Sequence, residues 1–494
     1  MKRMILLLLS ATLAARSLDA AAQGYTGCIP LSRGEYANLP IAPLPSHTRS
    51  ATPSSCFLKT PAVGNQGTQG SCVAWATAYA ATGILATTKN GEETRLSPAF
   101  VFNQLQRWYL ANIPEWDPQN GSYVIDGLKL LTNQGACLLN EMKYTQSDFT
   151  RQPTAEMHWS ALSNRIKWGR HTNDTDVNEY RFQLASGHPV VISIHCTDNF
   201  YSEGGTNGFW CHYGKRTHKK DGHALCVVGY DDNKTYGGKT GFLKVMNSWG
   251  DSWGDNGFLW IAYDLVKTGT ILEAYAVYDI SPDVRLEGDG VLCSSGGTYH
   301  IENGAPEWGV HWEAGSKAQI VRQSGFAAEA KSVRNERHER DGYESIAARV
   351  SVPGEWPCEA LGSKRVWTGV PTITICSYPP CEEGEHADMQ CGGHASLRLS
   401  TPEMAGMGNT ALCSIEHGGN LWLNANSNPE VASAVLYGTE FIAYAKSPGG
   451  TVFSVASRNE CGIATGTISV RVEKKKHGMH PPGKFDLQLL GARR

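Results

Sequence analysis

The stretch Gln66–Tyr79 holds two side chains with the types and spacing for nucleophilic chemistry. It reads Gln-Gly-Thr-Gln-Gly-Ser-Cys-Val-Ala-Trp-Ala-Thr-Ala-Tyr. Its first half is loop. From Ser71 the small and apolar residues predict a helix running to about Thr88, with Ser71 as N-cap. Cys72 then sits in the first helical turn, where unpaired N–H groups and the helix dipole favour negative charge. That placement lowers a thiol's pKa and makes it a nucleophile. Gln66, on the approaching loop, carries an amide that could stabilise an oxyanion beside the sulfur. A cysteine at a helix start, taken alone, is more often structural, so the assignment depends on partners elsewhere.

The stretch resembles the active-site segment of papain-like cysteine peptidases. The resemblance covers residues 58–280. It implies an α+β, two-lobe fold: a helical lobe, a β lobe and a cleft between them. His223, at the head of an apolar strand, and Asn247 stand roughly 150 and 175 residues beyond Cys72, a little past the family's spacing. In that reading Cys72 and His223 form a thiolate–imidazolium pair and Asn247 fixes the imidazole. Trp249 covers the His–Asn hydrogen bond, and Gln66 joins the Cys72 N–H in holding the oxyanion. Alone, His223 reads as a strand-end histidine and Asn247-Ser248-Trp249-Gly250 as a turn.

Some positions depart from the family. Val73 follows the nucleophile where an aromatic residue is usual, and Gly222 stands where papain has Asp. Gln69 and Gln119 occupy the places of a cysteine pair that the family often joins, so both partners of that disulfide are absent together.

The elements that must position these groups follow in order. Ser97 and Pro98 cap a helix through about Ala111, in a segment resembling the one that follows the family's nucleophile helix. A further helix is expected from Tyr123 to Asn133, stopped by Gly135. Strands are expected at Val190–Ile194, His223–Tyr230, Gly241–Asn247 and Leu259–Ala262, with a Gly-rich basic loop or hairpin over 202–222. Residues 23–57 form a short arm rich in Pro, Ser and Thr with no helical period. It leaves no room for a long helical propeptide, so latency must come from this arm or from another mechanism.

At 494 residues, 41% hydrophobic and 18% charged, the chain is globular and multidomain. A net charge of -3 gives no reason to expect nucleic acid. Lys2 and Arg3, the apolar run Met4–Ala15 and Ala20-Ala21-Ala22 read as a signal peptide over 1–22, hence secretion to the exterior, periplasm or cell surface. No stretch is long enough to span a membrane. Fourteen cysteines in an exported chain suggest disulfides, with Cys72 left free.

Residues 284–371 and 372–473 have the short alternating strands of β-sandwiches and resemble the Ig-like modules of secreted Bacteroidota-type proteins. A flexible tail over 474–494 follows. Contact with a cell surface or glycan is an expectation for these modules, although Trp312 and Trp422 read as core. The run Lys215–Lys220 reads as a solvated hairpin that could bias the cleft toward acidic substrates. Cys376, Cys381, Cys391 and His394 have the types of a zinc set, but disulfides fit an exported chain better. No cofactor or metal is expected. The reading is therefore a secreted cysteine endopeptidase acting on proteins or peptides through an acyl-enzyme. The alternatives are a catalytically silent papain-like fold used for surface binding, and an acyl-transferase or transpeptidase using the same site.

Overall fold

The computed structural model describes residues 25–43, 52–216, 222–278, 283–333, 342–371, 373–377, 390–392, 394–400, 410–417 and 419–473. The leader, the C-terminal tail, most of the basic run and Cys381 lie outside them. So do the side chains of Cys376, Cys391 and His394. The chain divides into two compact units. One comprises the described residues of Met1–Arg285, Ile301–His311 and Ala348–Gly362, and the other takes the remainder.

In the first unit, small side chains let a buried helical segment thread the core. Cys72–Ala74 is α-helical, Trp75–Thr82 is π-helical, and Gly83–Asn90 is α-helical again. The expected uniform helix is thus interrupted. Thr82 donates its hydroxyl to the Thr77 carbonyl, and the Gly83 N–H reaches Ala78 O, five residues back. The segment ends at Asn90, past Thr88, because Gly91 adopts the left-handed C-cap conformation. Ser71 makes no side-chain cap; its hydroxyl bonds the Tyr144 hydroxyl at 2.8 Å. The next two helices follow their capping residues closely. Pro98–Asn112 is capped by Ser97 Oγ, and Val124–Gln134 is stopped by Gly135. Their apolar faces close over Cys72–Ala86 in one core.

The strands are β1 Ser55–Phe57, β2 Lys167–Arg170, β3 Val190–His195, β4 Phe209–Trp210, β5 Gly222–Tyr236, β6 Lys239–Met246, β7 Phe258–Ala262 and β8 Ile271–Tyr278. They make one sheet in the order β2-β8-β3-β5-β6-β7-β4, with β1 paired to β5. The arm therefore lends a strand to this sheet. It also carries a short helix, Arg33–Ala37, which the absence of period did not suggest. Ser32 and Glu35 form a capping box that nucleates it. The region expected to be loop or hairpin after residue 202 instead opens with a π turn over Phe200–Gly204 and a helical turn over Gly205–Asn207. These seat against Trp253, which leaves no room for a Cβ at Gly205.

Residues 348–362, read in sequence as part of a β module, belong with this first unit. The Trp356 carbonyl accepts from Asn133 Nδ2 (2.5 Å) and Gln134 Nε2 (2.9 Å), and its ring lies in the helical core.

The second unit is rich in β structure. The β-rich region contains two four-stranded sheets up to residue 368, then a five-stranded and a four-stranded sheet up to residue 473. Alternation located the strands well: Thr298–Ile301, Val310–Glu313, Asn420–Leu423 and Val452–Val455 all fall inside observed ones. Trp312 is buried, whereas Trp422 is only partly covered. Cys293 and Cys461 form a disulfide with Cα atoms 5.5 Å apart, and Cys461 occupies the tight turn between strands Gly449–Asn459 and Gly462–Glu473. Of the other cysteines whose side chains are described, Cys28, Cys56, Cys72, Cys137, Cys211, Cys226 and Cys358, all in the first unit, form no disulfide.

The disulfide closes a loop with a sequence separation of 168 residues. Replacing Cys461 with Ser should lower stability by about 2–4 kcal/mol. Thermal denaturation of the variant beside wild type, with and without reductant, measures this; a variant melting with oxidised wild type would contradict it.

Candidate active site

Every residue expected at the site is buried: Gln66, Cys72 and His223 are 0% exposed, and Asn247 is 3% exposed. The backbone N–H groups of Ala224, next to His223 on β5, and of Val73 act on the Cys72 thiol and favour its charged form. His223 Nε2 lies 2.8 Å from Asn247 Oδ1. Its Nδ1 has no hydrogen-bond partner. The Trp249 ring stacks on the imidazole, with centroids 4.6 Å apart and planes at 22°. It thereby roofs the His–Asn pair, and Phe200 and Trp253 brace it from behind.

Gln66 is tied into the same network. Its Oε1 accepts from Ser248 Oγ at 2.6 Å, while the Ser248 N–H donates to Asn247 Oδ1 at 2.8 Å. The backbone N–H of Gln66 bonds Ser248 O, and Tyr144 OH bonds Gln66 O at 2.7 Å. Ser248 thus joins the loop before Cys72 to the loop after β6, and Tyr144 braces the first of these through Gln66 and Ser71. Ser248 was visible in sequence only as part of a turn, and Tyr144 gave no local signal. Gln69 and Gln119 also sit on neighbouring loops: Gly70 packs against the Gln119 carbonyl without a cross-link.

The N-terminal arm lies across these groups. Tyr25 O accepts from Gln66 Nε2 (3.0 Å) and Trp249 Nε1 (3.0 Å). The other Gln66 amide proton goes to Gln69 O at 2.8 Å. The Gly27 N–H acts to lower the Cys72 thiol's pKa. Gly27 and Cys28 both donate to Gly222 O, Ile29 donates to Ser122 O, and Ser122 donates to Gly27 O. Gly27 is a steric requirement: a Cβ there would lie 2.2 Å from Gly70 O. The arm is held further along as well. Leu31 N–H meets Glu273 Oε1 at 2.6 Å, Tyr36 OH meets Asp174 Oδ1 at 2.7 Å, and Arg33 pairs with Asp174 at 3.1 Å.

This covering sets the charge state. The helix-start N–H groups of Cys72 and Val73, with those of Ala224 and Gly27, favour the thiolate, yet burial outweighs them and pushes the thiol up to about 12. Burial likewise brings His223 down to about 4, against a smaller opposing effect of Asn247. Burial in the closed cleft therefore works against the expected ion pair and favours the neutral thiol and imidazole. Among the described residues no cluster of His, Cys, Asp and Glu could hold a metal ion, and no helix is long and apolar enough to cross a membrane.

The family model for papain family cysteine protease matches residues 51–279. An uncharacterized peptidase C1-like protein of Acanthamoeba polyphaga mimivirus is 29% identical over 260 residues, covering 48% of this chain and 79% of that protein. Among solved structures, xylellain, a cysteine protease from Xylella fastidiosa, aligns at 20% identity over 52% of this chain and 97% of its own, with TM-score 0.42. Bromelain from Ananas comosus aligns at 19% over 46% and 98%, with TM-score 0.36.

Alkylation by iodoacetamide needs the thiolate, and a thiol raised to about 12 is almost wholly protonated at neutral pH. The Cys72 alkylation rate in the intact chain should be low at pH 7 and still climbing at pH 10, as read by peptide mass spectrometry. A rate that levels off below pH 9 would contradict this account of the closed cleft. With its sequence matched to that family and its Cys, His, Asn and Gln side chains gathered at one cleft, the chain carries a papain-family cysteine peptidase domain over residues 51–279.

Proposed function

We propose that this peptidase is a secreted endopeptidase that works through Cys72, His223, Asn247 and Gln66, and that residues 25–31 hold it closed. The observation that carries the reading is a His223 ring fixed by Asn247 and roofed by Trp249, next on β5 to Ala224, whose N–H favours the Cys72 thiolate. With the arm displaced, His223 takes the thiol proton as Cys72 attacks the peptide carbonyl. The Cys72 N–H and the Gln66 amide proton now bonded to Tyr25 O receive the oxyanion. The imidazolium gives its proton to the leaving amine, which departs to leave a thioester. Water, deprotonated by the same ring, cleaves the thioester and restores the thiol. Asn247 keeps the ring oriented through both halves.

The arm fits the role of an inhibitor: Tyr25 O takes the Gln66 amide proton that would hold the oxyanion, and the Gly27 and Cys28 N–H groups bond Gly222 O. Secretion follows from the leader-like residues 1–22. The β regions after residue 284 read as Ig-like modules, suited to contact with a cell surface or glycan; their antiparallel sheets with parallel edge pairings, Val291 beside Trp367 and Ser396 beside Ser469, support that reading.

In the full chain, Gly27→Val should expel the arm and raise cleavage of a generic fluorogenic peptide about tenfold or more over wild type. In that background Cys72→Ala should abolish turnover, and Gln66→Ala should cut kcat about a hundredfold. Turnover that survives Cys72→Ala would refute the assignment, and equal activity of wild type and the Gly27 variant would refute the closed state.

A further inference from the structure

The sheet register brings a carboxylate into the cleft. Ser193 on β3 pairs with Ala224 on β5 and with Glu273 on β8. Directly paired residues in a sheet share a face, so these three side chains form one row. The row begins at Ala224, next to His223, and ends on Glu273 two strands away, a span of about 10 Å. The arm crosses the row: Cys28 packs in the buried cluster that contains Ala224, and Leu31 N–H donates to Glu273 Oε1 at 2.6 Å.

Glu273 is 1% exposed, and its second oxygen accepts from Ser193 Oγ at 2.9 Å. Among the described residues no lysine or arginine pairs with it. Arg170, a cation on the neighbouring β2, is engaged by the carbonyls of Ala37, Leu39 and His171. The other acid on this side of the arm, Asp174, is already met by a cation of the arm itself, Arg33. Once the arm leaves, Glu273 loses one of its two donors while the sheet around it stays in place. A buried carboxylate short of donors is unfavourable, and a cation with N–H groups relieves it best. Cys28, the arm residue between the Ser122 and Gly222 backbones, has a short side chain that does not use this acceptor.

We infer that Glu273 makes the cleft position held by Cys28 selective for a lysine or arginine side chain of the substrate. This rests on the peptidase reading and deepens it: in the arm, Gly27 is the residue whose N–H favours the Cys72 thiolate, and Cys28 is its neighbour. The basic residue therefore lies next to the one whose carbonyl is attacked.

The test uses the full chain carrying Gly27→Val. Fluorogenic peptides identical except for Arg, Leu or Glu beside the attacked residue, placed on each side of the cleaved bond in turn, are compared by kcat/KM. The same peptides are titrated calorimetrically into the chain carrying Gly27→Val and Cys72→Ala. Arg should exceed Leu about tenfold or more in both readouts on one side of the bond. Glu273→Gln should erase the difference while Leu-peptide turnover stays unchanged, and Glu273→Asp should retain part of it. Equal turnover of Arg and Leu peptides, or an Arg preference that survives Glu273→Gln, overturns the inference and leaves the peptidase reading intact. Arg-selective binding that Glu273→Gln erases, without turnover of any peptide, supports the pocket and removes the peptidase reading. Absence of both turnover and selective binding removes both.

Discussion

The seating of the arm's backbone against the loops around Cys72 is the constraint on which the state of the peptidase unit depends. The Gly27 and Cys28 N–H groups bond Gly222 O, the Ser122 N–H bonds Gly27 O, and a Cβ at Gly27 or Gly121 would collide with the backbone opposite, so this seating requires glycine at both. Cys72 and His223 are fully buried, and that burial raises the thiol and lowers the imidazole, favouring the neutral form of each. The same segment places Tyr25 O on the Gln66 amide and the Trp249 indole, so the oxyanion donor and the ring over the His–Asn pair are engaged by one strip of backbone. Backbone recognition of this kind depends little on side-chain identity except where space is short.

The site is also stiff without the family's disulfide. With Gln69 and Gln119 at the places where the resemblance implies a cysteine pair, the loops before Cys72 and after β6 are joined by Gln66, Ser248 and Asn247 through short, buried hydrogen bonds. Buried donors and acceptors satisfied within one network hold each other's geometry, because breaking any member strands another. Trp249 closes that network from above with a ring stack and not a covalent link.

Much of this was legible in the residues. Cysteine at a helix start, the strand-head His223 and the Asn-Ser-Trp-Gly turn marked the site, since chemistry restricts which residue types can stand there. Ser97-Pro98 and Gly135 marked helix ends, because capping is local. The π turns were not legible: Thr77 and Thr82 reroute the backbone only once the helix is buried on all sides. The Arg33–Ala37 helix was missed because at five residues it shows no period, although Ser32 and Glu35 spelled a capping box. Least visible was the arm's position in the cleft. It rests on backbone bonds to Ser122 and Gly222, distant in sequence, and backbone carries no sequence signal except at Gly27.

The Cys293–Cys461 link has a mechanical side. Its sequence separation of 168 residues corresponds to about 570 Å of fully extended chain that tension applied outside the loop cannot pay out. A pull transmitted along the polypeptide passes through two sulfur atoms and bypasses the strands between them. Whatever lies within the loop is unloaded, including Ile301–His311 and Ala348–Gly362 of the peptidase unit. A chain tethered by its C-terminal end and dragged by flow or by a bound partner would yield first at its tethering strands, while this covalently closed stretch kept its contour.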